Sequence, residues 1–207
     1  MAETGWNENM IDRVKIKKQN RTLPGPLFLA LSLLLIFMWG CGSPGQYIRP
    51  DVDIRSIRKI AVLPLETLTT DEYAGEKIRG MVISELLTRG VDVIEPGEVT
   101  RVLRELKIRS LGGITIEDIR KIGERLNVKA VMMGSVGAFG ISRGITTSYP
   151  EVSIHLMMLD TSTGNIIWSA WNTAGGPGFW TRHFGTEGLT LSETAGKVVK
   201  ETIDALF

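Results

Sequence analysis

The hydrophobic pattern of the 207-residue chain changes twice along its length. Residues 27–39 read LFLALSLLLIFMW, an apolar run of thirteen residues with one serine. A helix needs about 20 apolar residues to cross a bilayer core, so the run is short for a permanent span and matches the h-region of a secretion signal. Residues 42–54 (GSPGQYIRPDVDI) lose all periodicity and are rich in Gly, Pro and polar residues, which predicts a flexible tether. From residue 56 onward, short apolar runs alternate with stretches of helical spacing.

The first of these runs, 58–65 (RKIAVLPL), is continuously apolar and reads as a strand buried on both faces. Ala74, Ile78, Met81, Val82 and Leu86 then repeat at helical spacing over 71–89, with Gly90 as the terminating glycine. Residues 91–94 form a second strand. Pro96 opens a helix that places Val99, Val102, Leu103 and Leu106 on one face. Thr115 opens the next with Asp118 in the capping-box position, and Ile116, Ile119, Ile122 and Leu126 supply its apolar face. Strands follow at 128–136 (VKAVMMGSV), 151–159 (EVSIHLMML) and 165–173 (NIIWSAWNT), the last two joined by the turn-forming sequence DTSTGN. Residues 174–189 read as a loop. Thr190, with Glu193 three residues on, caps a final helix lined by Ala195, Val198, Val199, Ile203 and Leu206. The order β-α-β-α-α-β-β-β-α predicts one α/β domain over 56–207. Its mixed five-stranded sheet has three parallel strands joined by helical crossovers and an antiparallel extension.

Charge and cysteine content identify the segment before this domain. Arg13, Lys15, Lys17, Lys18 and Arg21 cluster ahead of the apolar run, as a signal n-region requires. The remainder of the chain carries 19 basic and 20 acidic residues, with no basic block of the kind that marks nucleic-acid binding. A single cysteine excludes an intrachain disulfide. That residue, Cys41, follows Gly40 at the end of the apolar run, which is the layout of a lipoprotein signal. Met38 and Trp39 stand where Leu and a small residue are commoner. The expected organisation is a signal peptide over 1–40, a lipidated Cys41 with its tether over 41–55, and a periplasmic domain over 56–207. The alternative is an uncleaved signal anchor with Cys41 as a bystander. Met10 offers a second start site. Gly42 and Ser43 follow the cysteine without an Asp, which resembles outer-membrane sorting. Stable anchoring needs at least two acyl chains, and a mature lipoprotein carries three.

The domain offers little chemistry. His155 and His183 have no His or Cys partner at metal-ligand spacing, and both read as satisfied or exposed histidines. Gly134, Gly137 and Gly140 match neither a dinucleotide fingerprint nor a phosphate loop and read as bulges or close backbone approaches. Ser135 lacks a nucleophile elbow, and Glu117 and Asp118 suit a helix start. No catalytic residue, metal or cofactor is expected. The aromatic residues point to contacts instead. Trp168 and Trp171 are three apart in a strand and so face opposite sides, one to the core and one outward. Phe179 and Trp180 lie in a glycine-rich loop, either exposed for a partner or folded back onto the sheet.

Three stretches carry a resemblance: KIAVLPLETLT (59–69), LNVKAVMMGSVGAFG (126–140) and VSIHLMMLDTSTGNIIWSAW (152–171). Together they resemble the superfamily of envelope lipoproteins that includes the curli-secretion lipoprotein CsgG, the penicillin-binding-protein activator LpoB and the amino-terminal domain of TolB. The most specific piece is the hairpin LD-x-x-TG-x-x-x-W, Leu159 to Trp168. The resemblance implies a three-layer α/β domain that acts through protein contacts at the outer membrane. Trp171, Phe179 and Trp180 are the candidate partner-binding residues. The secretion channels of this group insert long hairpins into the membrane, whereas only about ten residues (141–150) here separate the third and fourth expected strands. The expected function is that of a non-enzymatic outer-membrane lipoprotein docking on an envelope protein, as an activator or adaptor of peptidoglycan synthesis or secretion. A ring-forming secretion-channel component is the alternative, and a hydrolase or ligand-binding domain with a dispersed site is the third reading.

Overall fold

The computed structural model describes residues 45–144, 148–176 and 188–207. Among the described residues seven strands form one mixed sheet: β1 (Gly45–Ile48), β2 (Lys59–Val62), β3 (Glu66–Thr67), β4 (Asp92–Val93), β5 (Ala130–Arg143), β6 (Ser148–Asp160) and β7 (Ile166–Gly175). The helices are α1 (Ala74–Thr88), α2 (Pro96–Glu105), α3 (Ile116–Leu126) and α4 (Leu191–Asp204). The strand order is β1-β7-β6-β5-β2-β4, with β3 pairing further along β5. As the crossovers predict, β2 runs parallel to β4 and β5, and β5, β6 and β7 continue the sheet as an antiparallel meander.

The class is the expected one, but the sheet has seven strands where five are predicted. Pro64 accounts for one addition. It ends the pairing of β2, and the chain regains it two residues later, with Glu66 opposite Ser135. The other addition, β1, lies in the segment that composition assigns to a tether. Its residues pair antiparallel with β7, Gly45 opposite Trp171 and Ile48 opposite Trp168, and cover hydrogen-bonding groups that an edge strand would leave open. A third difference concerns residues 141–150. Pairing of β5 with β6 continues to Arg143 and Ser148, so most of the expected connection is hairpin.

Helices α1 and α4 cover one face of the sheet. Ala74, Ile78, Val82 and Leu86 of α1 and Ala195, Val198, Val199 and Ile203 of α4 pack with Ile60, Val62, Met132, Ile154, Leu156 and Trp168. Helices α2 and α3 cover part of the other face, where Val99, Val102, Leu103, Ile119 and Ile122 meet Ala61, Leu63 and Val131. Both capping boxes form. The Thr115 amide donates to Asp118 Oδ2 at 3.1 Å and the Asp118 amide to Thr115 Oγ1 at 3.2 Å. Thr190 and Glu193 do the same at 2.8 and 3.2 Å. These bonds hold both carboxyls below their ordinary pKa values.

One buried cation completes the parallel ladder. The amides of Asp92 and Ile94 donate to the carbonyls of Arg58 and Ile60 at 2.8 and 3.0 Å. The next donor in that series would be residue 96, a proline without an N–H. Arg79 of α1, 3% exposed, takes its place: Nε and Nη2 donate to the Val62 carbonyl at 3.1 and 2.7 Å.

Candidate functional site: an uncovered sheet face

Among the described residues, the α2–α3 layer sits over β2 and β5 and no helix packs over the β6, β7 and β1 side of that face. Strand alternation decides what is displayed there. On β6, Ile154, Leu156 and Met158 are buried toward α1 and α4, so Ser153, His155 and Met157 point the other way, each half-buried. On β7, Trp168 and Ala170 are fully buried, and Ser169, Trp171 and Thr173 share the open face. On β1, Gly45 and Tyr47 belong to it by register.

Trp171 dominates this surface. It is 62% exposed, whereas Trp168 is 0% exposed. The expectation of one core and one outward tryptophan therefore holds. The benzo ring of Trp171 lies over Gly45, where a Cβ would overlap it. Such cross-strand cover of an edge glycine by an aromatic ring holds the ring in place without burying it. Tyr47, 51% exposed, stands two residues along β1 on the same face.

The hydroxyls and the imidazole that β6 and β7 place on this face are paired. His155 Nε2 lies 2.9 Å from Ser169 Oγ, and Ser153 Oγ lies 2.8 Å from Thr173 Oγ1. His155 is thus a satisfied histidine. Among the described residues no carboxylate hydrogen-bonds its ring. The described residues contain no group of three potential metal ligands. Two of the three notable glycines have backbone reasons: a Cβ at Gly134 would overlap the His155 carbonyl oxygen, and Gly137 sits at the β5 bulge.

Of the residues singled out from the sequence, the structure places Trp171 and His155 on this face. Cys41, Phe179, Trp180 and His183 lie outside the described residues. Tyr47 was not anticipated, because its segment reads as a tether. The signal available was the alternation of Gly45 and Tyr47 with Gln46 and Ile48, too short to separate from loop composition.

No family model matches the chain, and no curated protein matches it. Solved structures do. The PelC dodecamer from Paraburkholderia phytofirmans is similar over 78% of this chain and 96% of its own, with a TM-score of 0.52 and 22% identity. Lipoprotein GNA1162 from Neisseria meningitidis is similar over 72% of this chain and 96% of its own, with a TM-score of 0.53 and 16% identity. The likeness is one of fold. The LpoB C-terminal domain from Salmonella enterica is similar over 69% of this chain and 91% of its own, with a TM-score of 0.43 and 12% identity.

Proposed function

We propose that the chain is a non-enzymatic lipoprotein of the bacterial cell envelope, lipidated at Cys41 and held at the outer membrane. Its α/β domain docks on a protein partner, as an activator or adaptor of peptidoglycan synthesis or secretion machinery. The observation that carries the docking role is the open sheet face. Among the described residues, helices cover the other face and the β2–β5 part of this one, yet here an exposed tryptophan and tyrosine stand diagonally across the β1–β7 pairing, beside paired hydroxyls of β6 and β7. Exposed aromatics on a rigid surface are the residue types that dominate binding energy at protein interfaces. The leader supports the anchor through its basic cluster, its thirteen-residue apolar run and Gly40 before the single cysteine. Phe179 and Trp180, close in sequence to the end of β7, are proposed as further contacts.

A photocrosslinking residue at position 171, in intact cells expressing the full chain, tests the docking role. Capture of one defined envelope protein, abolished when Trp171→Ala is combined with a crosslinker at position 173, is the expected result. Absence of any protein adduct would overturn it. Metabolic palmitate labelling that persists in Cys41→Ser would overturn the anchor.

A second reading is assembly of this chain into a ring. It is favoured by the shared fold with PelC, whose structure is a dodecamer. The mass of the protein extracted in mild detergent decides it: a ring-sized particle supports the reading, and a monomer excludes it.

A further inference from the structure

A second surface, on the far side of α2, has the opposite character. A cleft of about 650 Å³ opens where β2 ends at Pro64 and α2 gives way to the loop before α3. In sheets with parallel strands, the crevice beyond the strands' carboxyl ends is the common place for a ligand. Its floor is apolar, with Leu65 and Leu103 buried and Leu111 half-buried. Its rim is cationic: Arg104, Lys107 and Arg109 line it, against one acid, Glu66.

Two observations describe this rim. Its three cations are exposed and have no ion pair or side-chain hydrogen bond among the described residues; Arg58, Lys59 and Lys129 around the smaller cleft at 56–59 and 127–129 are unpaired too, but no leucine floor lies beneath them. The domain is close to neutral overall, so three unpartnered cations within one cleft are a local excess. The second observation is the backbone of Lys107. The chain leaves α2 through bonds from the Lys107 amide to Arg104 O at 3.0 Å and from the Ile108 amide to Leu103 O at 2.9 Å. Lys107 has φ +59, the left-handed conformation that glycine adopts without strain at such a helix end. Among the described residues the other non-glycine residue with positive φ is Asn127, a type that tolerates the region. Lysine at 107 serves the fold less well than glycine would, and what it adds is a cation at the mouth of the cleft. Strain of this kind concentrates at binding sites.

We infer that this cleft is a docking site for an acidic, partly apolar peptide segment of a protein partner, with carboxylates on Arg104, Lys107 and Arg109 and an apolar side chain on the leucine floor. The inference rests on the docking role proposed above and adds to it a surface that the Trp171 face does not include. The size falls within the range of sites that enclose small ligands. The apolar floor suits an amphipathic segment better than a bare anion. The rim cations would also make association dependent on salt.

The test is selection of N-acetylated, C-amidated hexapeptides from a random library on the full lipidated chain in neutral detergent. Enriched peptides are expected to carry at least two carboxylates and an apolar residue. Their Asn/Gln counterparts should bind at least tenfold more weakly, as should the acidic peptides to Lys107→Gly and to Arg104→Ala/Arg109→Ala. Lys107→Gly should keep or raise the Tm, which separates loss of binding from loss of fold. Enrichment without acidic bias, or acidic peptides indifferent to Lys107→Gly, would overturn the inference. A photocrosslinker at Ser110 in cells keeps its failure distinct from that of the docking role. Protein capture from position 171 with none from 110, or lipid captured at 110, overturns the cleft alone. Capture from neither position overturns both.

Discussion

The indole of Trp171 rests on Gly45, across the antiparallel pairing of β1 with β7. The contact joins the first described strand to the most prominent residue of the open face. Gly45→Val is expected to push the ring aside and loosen β1, because any Cβ at 45 meets the benzo ring. Hydrogen exchange should speed up at the amides of β1 while the β5–β6 pairing stays protected. Unchanged protection of β1 would show that the ring moves at no cost.

The two tryptophans of β7 should separate cleanly in urea melts. Trp168→Ala empties a fully buried site in the main core and should cost about 3–5 kcal/mol. Trp171→Ala, on the open face, should cost roughly 1 kcal/mol or less. Equal losses would contradict the assignment of the two faces.

Arg79 and Pro96 make a coupled pair through the Val62 carbonyl. Arg79→Met leaves that carbonyl without its two donors and should cost about 1–3 kcal/mol. Adding Pro96→Ala supplies the N–H that the ladder lacks at this position and should restore part of the loss. A double-mutant cycle measures the coupling, and strict additivity would refute the substitution of side chain for backbone.

Asp160 organises the β6–β7 turn. Its Oδ1 accepts from the amide and hydroxyl of Ser162 at 3.0 and 2.6 Å and from those of Thr163 at 2.8 and 2.8 Å. Partial burial pushes this carboxyl up, but the four donors outweigh it and hold it below its ordinary value. A depressed folded-state pKa gives stability that is present above the unfolded-state value, about 3.9, and is lost as pH falls through the folded-state value. Thermal melts below pH 4 should therefore show a smaller loss with decreasing pH in Asp160→Asn than in the parent. The variant should be less stable at neutral pH by on the order of 1–2 kcal/mol.

The sequence by itself determined what depends on neighbours along the chain. Helical spacing located α1 to α4. Side-chain oxygens three residues from their partner amides made both capping boxes legible. The three-residue spacing of Trp168 and Trp171 put them on opposite faces of β7 before any neighbour was known. Tertiary structure decided what depends on distant partners. Strand β1 exists because β7 offers an edge, and four residues of mixed composition do not announce it. The β5–β6 pairing runs on through glycines that locally read as loop, because each strand supplies the other's hydrogen bonds. The open face follows from where α2 and α3 come to rest, and the cationic cleft from Pro64 and the 107–111 loop meeting across more than 40 residues of chain. Local periodicity encodes which side of an element is apolar. Whether another element then covers that side is set by packing between segments far apart in sequence, and the surfaces left for partners are decided there.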